Sequence, residues 1–173
     1  MAKLVIPLSP VIVKKGGEVT SDKYKGDNSS IWKKGCLLKL SSGKIAICDA
    51  LDTASVLDTD DTGTSGAKLF IAMEDVDTAT SDYVAVQEVT RDTIFEGRLC
   101  ATGSTDPTAA NVTPGTAYTA WQLTTGVWGI DVDVATKGFC VVQDTEDEEL
   151  PWDENRGDDY GKVWFKLSAS LFA

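Results

Sequence analysis

Apolar and polar residues alternate with a period of two along most of this chain, and the alternation is punctuated by Gly, Ser, Thr and Asp turns. Residues 35–50, "GCLLKLSSGKIAICDA", predict a hairpin: Leu38 and Leu40 approach a Ser41-Ser42-Gly43 turn, and Ile45 and Ile47 leave it. "KLFIAMEDV" (68–76) and "YVAVQEVT" (83–90) predict two further strands, separated by the turn "DTATSD". "DTIFEGRLCA" (92–101) continues the sheet. Phe95, Leu99 and Ala101 share one face there, while Ile94, Glu96 and Arg98 share the other. Strands at "TAYTAWQL" (116–123), "VWGIDVDV" (127–134), "KGFCVVQDT" (137–145) and "GKVWFKLSASLFA" (161–173) follow, and helical periodicity is scarce. Residues 115–134 loosely echo 35–50 as a second Gly-led hairpin. The pattern predicts an all-β protein with half-solvated sheets, arranged as a small antiparallel barrel or a sandwich.

The first thirty residues read differently. "KLVIPLSPVIVKK" (3–15) is extended by composition, and Pro7 and Pro10 keep it out of a central strand. "GGEVTSDKYKGDNSS" (16–30) is polar and Gly-containing. Residues 1–30 are therefore expected to form an extended N-terminal arm and linker, and 31–173 the barrel domain with an acidic loop at 144–159.

Composition narrows the partners. The chain has 173 residues, 42% of them apolar, enough for a real core. Its formal charge of −11 opposes binding to nucleic acid or to anionic membranes. No apolar run approaches the ~20 residues that span a bilayer, and residues 1–17 lack the pattern of a signal peptide. Synthesis in a cytoplasm is the expectation.

Chemistry finds little purchase. There is no histidine, so Ser-His-Asp and Cys-His arrangements cannot form. Ser41 and Lys44 have S-x-x-K spacing but sit at a predicted turn, without the companion motifs of Ser-Lys enzymes. Asp58 to Gly63 opens like a calcium loop, yet its twelfth position holds Leu69 in place of the bidentate Glu. Cys36, Cys48, Cys100 and Cys140 form no C-x-x-C pair, and buried apolar thiols are the expectation. The run 144–159 is read as a solvated loop, the "RGD" at 156–158 as a tripeptide that chance supplies often, and the glycosylation triplets at Asn28 and Asn111 as without meaning unless the chain is secreted. The expectation is a non-enzyme with no cofactor and no metal. Five tryptophans, with Trp121 and Trp128 flanking a hairpin turn, leave a sugar-binding platform as the alternative: a carbohydrate-binding β-domain of a phage tail or cell surface.

Several stretches between Lys33 and Leu99 carry a resemblance. Lys34-Gly35 opens a "K-G-x-h-h-x-h" strand, where h is apolar, and Ala72-Met73-Glu74-Asp75 closes an "h-A-x-x-D" strand end. Val84-Ala85-Val86 then leads into Asp92-Thr93-Ile94-Phe95-Glu96. This arrangement resembles the head decoration (capsid cement) proteins of tailed bacteriophages, and residues 31–167 are similar in style. The resemblance implies a β-tulip-like barrel, a homotrimer at local threefold positions on the outer capsid surface, and the major capsid protein as partner. Lys3, Lys14 and Lys15 make the arm basic in an acidic protein. Residues 3–14 are accordingly expected to pair with an edge strand of a capsid subunit or a neighbouring copy. The expected contact residues are Leu4, Val5, Ile6, Leu8, Val11, Ile12 and Val13.

Overall fold

The computed structural model describes residues 11–48, 50–51, 56–57, 68–101, 103, 107–124, 127–133, 140–143 and 161–168. Over these the chain is all-β, as its alternation predicts, with a single short 3-10 turn at Ala109–Asn111 among the described residues. Two short strands come first, β1 (Ile12–Lys15) and β2 (Val19–Thr20). The predicted hairpin follows as β3 (Leu37–Ser41) and β4 (Lys44–Ile47), with Leu38 opposite Ile47 and Leu40 opposite Ile45. Its two turn residues, Ser42 and Gly43, have φ of 50° and 81°. Two left-handed residues in a row give the turn a twist that matches the flanking strands. β5 (Ala50–Leu51) and β6 (Val56–Leu57) form a small antiparallel pair. Then come β7 (Leu69–Ala72), β8 (Val86–Glu88), β9 (Ile94–Cys100), β10 (Ala117–Thr124), β11 (Val127–Asp131), β12 (Cys140–Val142) and β13 (Lys162–Leu167).

Five strands close a barrel. β9 pairs with β13, β13 with β12, β12 with β10 and β10 with β11, all antiparallel. β11 then returns to β9, running parallel to it at Ile130↔Leu99 and Asp131↔Cys100. Closure removes the edges that an open sheet would present. Alternate residues point inward, so Phe95, Leu99, Ala120, Trp128, Ile130, Cys140, Val142, Val163 and Phe165 share one core. Phe95 stacks on Phe165 at 5.3 Å between ring centroids, and Trp128 stands edge-on to Phe165 at 5.5 Å.

The second sheet has the order β2-β8-β7-β3-β4 and is antiparallel throughout. Its central strand β7 is buried on both faces. Leu37, Leu69 and Ile71 join the barrel core, and Leu38, Ile45, Ile47, Phe70, Ala72 and Val86 form a second cluster behind them, with Trp32, Val76 and Val84. Half-solvated alternation, the expectation from sequence, is therefore replaced here by consecutive buried residues, as in "LFIA" of β7. Each such side chain is worth about 1.5–3 kcal/mol when removed from water.

The linker assigned to residues 16–30 also needs correction. From Val11 onward the chain belongs to the body. Isolated bridges join Lys25 to Tyr83, Gly26 to Ile45, and Trp32 to Val76. Gly26 N donates to Asp82 O at 2.9 Å, Asp27 N to Ile45 O at 2.7 Å, and Val84 N to Tyr24 O at 3.0 Å. The segment is polar in its side chains, but its backbone groups need partners like any others, and the sheet supplies them.

Candidate functional site

The seven residues expected to meet a partner divide in two. Leu4, Val5, Ile6 and Leu8 lie outside the described residues. Val11, Ile12 and Val13 are placed, and their strand pairs with β9 of the same chain: Ile12 opposite Glu96 and Val13 opposite Phe95. Val11 is only 4% exposed and belongs to the barrel core, and Val13 packs against that core. Their assignment as partner contacts is thus corrected to core packing. Gly97 explains the fit. A Cβ there would stand 2.9 Å from Phe165 Cε1 and 3.4 Å from Val11 Cγ2. Only the bare backbone lets Val11 and Phe165 both close over β9. Ile12, by contrast, points outward at 47% exposure.

Glu96 holds the seam. Its Oε2 lies 3.3 Å from Lys14 Nζ, and its Oε1 lies 3.3 Å from Lys162 Nζ. Trp164 Nε1 donates to Oε2 at 3.3 Å, and the Lys14 ammonium sits 5.6 Å from the Trp164 ring centroid. Burial alone would raise the Glu96 pKa. Hydrogen bonds from Trp164 and Lys162, with the charges of Lys14 and Lys162, outweigh it and hold the carboxyl below the ordinary glutamate range. The strand-face reading placed Glu96 on the wet side of a sheet, but the structure buries it among two lysines and an indole. It is a clamp across three strands.

Beyond β1 the chain crosses to the other sheet. Gly16 and Gly17 have φ of 86° and 82°, and the Gln87 side-chain amide donates to Gly16 O at 2.8 Å and Gly17 O at 3.3 Å. Val19 then pairs with Gln87. Residues 12–20 therefore supply the terminal strand of both sheets, β1 for one and β2 for the other. Val19 is 54% exposed. Beneath β1 lies a slot of about 120 Å³, lined by Val11 to Val13, Ile71 to Met73, Lys34 and Gln87. Among the described residues no strand pairs with the outer side of β1 or β2, and this edge carries two outward β-branched side chains, Ile12 and Val19. Chemically, it can add an extended strand.

The other candidates fall into place around it. Ser41 and Lys44 face each other across the β3–β4 turn. The four cysteines are buried and none is in a disulfide, and burial pushes the Cys100 and Cys140 thiols far above their ordinary value. No group of metal-ligating side chains assembles among the described residues. Residues 58–67 of the calcium-like loop and the acidic run 144–159 lie outside the described residues, while Leu69 is buried in β7. Trp32 and Trp128 are buried and so offer no exposed platform, and Trp128 Nε1 donates to Gly35 O at 2.9 Å, tying the barrel to the second sheet. Sequence reasoning missed the Glu96 clamp and the slot beneath β1. A carboxylate between apolar neighbours on β9 was the available sign of the first.

No protein-family model, curated protein or solved structure matches this chain.

Proposed function

We propose that this chain is a structural virion protein that binds the outer surface of an assembled phage capsid, as a trimer at local threefold positions, and cements neighbouring capsid subunits. The single observation that carries the reading is the edge at residues 12–20, which ends both sheets and presents Ile12 and Val19 outward. An edge of this kind suits strand addition to another chain, with backbone hydrogen bonds fixing register and side chains adding specificity. The decoration-protein resemblance supports the same reading. Its residues run from the Lys34-Gly35 turn through the strand end at Ala72 to Asp75, and on to Asp92–Glu96 at the start of the barrel. A cement protein needs binding surfaces and no nucleophile, and the buried thiols and turn-bound Ser41 are consistent with that. Avidity from three copies would raise apparent affinity by about 10²–10⁴.

The test is decoration itself. Purified protein mixed with particles that lack it should co-sediment and appear as added density on the lattice by electron microscopy. Light scattering should give a trimer. A monomer that leaves particles bare at micromolar concentration ends this reading.

A further inference from the structure

We propose that the slot beneath β1 receives one aliphatic side chain of an acidic, extended peptide segment that adds as a strand to the outer edge of β1. The proposal rests on the capsid reading only for which protein supplies that segment. The position of the slot carries it. Val11, Ile12 and Val13 all line the slot. Consecutive residues of an extended chain turn to opposite faces, and these do: Val11 and Val13 meet the core while Ile12 points outward. A space that touches all three therefore meets the chain along its backbone edge. One edge of β1 is taken, because Ile12 faces Glu96 and Val13 faces Phe95 of β9. The slot thus lies along the other edge, which no described strand covers. In an antiparallel pair every second residue directs its N–H and C=O away from the partner strand, so β1 has backbone groups on that side to hold an added strand.

The lining says what enters. Val11, Ile71 and Ala72 are buried and apolar. Gln87 is the buried polar side chain at the slot, and its amide nitrogen is already committed to the Gly16 and Gly17 carbonyls. The volume is about 120 Å³. A dry cavity near ~150 Å³ holds a benzene, so the space suits a single leucine-sized side chain. Lys34 lines the slot from its exposed side. Asp75 accepts the Lys34 backbone N–H at 2.7 Å through Oδ1, but it gives Oδ2 to the Lys33 ammonium at 3.2 Å. The Lys34 ammonium therefore sets the charge at the rim, and it favours a carboxylate. Residues i and i+2 of a strand share a face, so a carboxylate two positions from the aliphatic residue stands on the same side as Lys34. The complement is an acid-x-aliphatic pattern. The chain's own residues 1–10 match it poorly, since their charged side chain is Lys3.

The test uses the full chain in solution, without particles. The 15N-labelled protein is titrated with the blocked heptapeptide acetyl-Thr-Glu-Thr-Leu-Thr-Glu-Thr-amide, which carries the pattern in either strand direction. Two control peptides replace Leu by Ala, or both Glu by Lys. The expected result is a saturable shift of the backbone amides of residues 11–13 and 71–73. The alanine peptide should bind about tenfold more weakly, and the lysine peptide roughly fivefold more weakly at low salt. Lys34→Glu, a change at an exposed side chain, should reverse the order of the glutamate and lysine peptides and keep the preference for leucine. Amides that no peptide moves at about 5 mM overturn the proposal. So do equal affinities for the leucine and alanine peptides, or an unchanged glutamate preference in Lys34→Glu. Particle decoration separates this proposal from the capsid reading. Peptide binding by a protein that leaves particles bare upholds the slot and removes the capsid as its partner. Decoration by a protein whose residues 11–13 ignore every peptide upholds the capsid reading and overturns the slot.

Discussion

Glu96 of β9 meets Lys14 of β1 at 3.3 Å across the seam that fastens the chain's first described strand to the barrel, and Lys162 of β13 meets the same carboxylate from the other side, also at 3.3 Å. One buried acid thus couples three strands, with the Trp164 indole as a further donor. Through Lys14 it ties the start of the edge at 12–20 to the barrel wall.

Replacing Glu96 with Gln keeps the shape and removes the charge. The two lysines then lose their shared partner, and a net loss of about 1.5–3 kcal/mol is expected. Urea unfolding should show the drop, and trypsin should cut faster after Lys14 and Lys15. An unchanged midpoint with unchanged cleavage shows that β1 is held by apolar packing alone.

The same clamp sets an acid limb. Glu96 titrates lower in the folded chain than its ordinary 4.5, so the unfolded chain binds the proton more readily. Its contribution is complete above the ordinary value and is lost as pH falls through the lower, folded one. Asp75 has the same sign, chiefly because Lys34 N donates to it. Lys33 is raised by Asp77 and Asp75, so its contribution holds below 10.5 and fades as pH rises through the folded value. Unfolding midpoints measured from roughly pH 3 to 6 should fall with acid, less steeply in Glu96→Gln. Identical slopes in the two proteins contradict the assignment.

Two glycines separate strain from collision. Gly43 and Gly17 both have left-handed φ, 81° and 82°, but a Cβ on Gly43 meets open space, whereas one on Gly17 runs into the Glu88 carbonyl. Gly43→Ala should cost about 1–2 kcal/mol, the conformational term alone. Gly17→Ala should cost clearly more and loosen the β1–β2 crossing, read by hydrogen exchange at Val19 and Gln87. Equal costs leave the crossing without its proposed constraint.

The thiols should be inert. Cys36, Cys48, Cys100 and Cys140 are buried and none is in a disulfide; at Cys100, with Asp131 and Asp133 nearby, and at Cys140, desolvation disfavours the reactive thiolate. A thiol reagent should find almost nothing in the native protein and four groups after denaturation. Rapid native labelling of Cys100 or Cys140 contradicts their placement in the barrel wall.

Ile12→Asp with Val19→Asp tests the edge directly. Both side chains are about half exposed, so stability should change little, while binding to undecorated particles should fall at least roughly tenfold. Deleting residues 2–14 is a less selective probe, because it also takes Val11 and Val13 from the core and Lys14 from Glu96. Full binding by the doubly substituted protein moves the docking surface elsewhere.

What the sequence by itself determined is local. Period-two alternation made the chain all-β, and Ser42-Gly43 between Leu40 and Ile45 set a hairpin with its register. The echo between residues 35–50 and 115–134 holds as two hairpins, β3–β4 in one sheet and β10–β11 in the barrel. These features follow from side chains a few positions apart, which the order of residues contains. Tertiary structure alone decided the parallel return of β11 to β9, the capture of residues 11–32 by the body, the bare Gly97 beneath Val11 and Phe165, and the burial of Glu96. Each depends on which distant strands meet. Every residue but proline carries the same backbone donor and acceptor, so pairing partners leave almost no mark on composition. A glutamate reads as wet until two lysines and an indole, 82, 66 and 68 positions away, close around it.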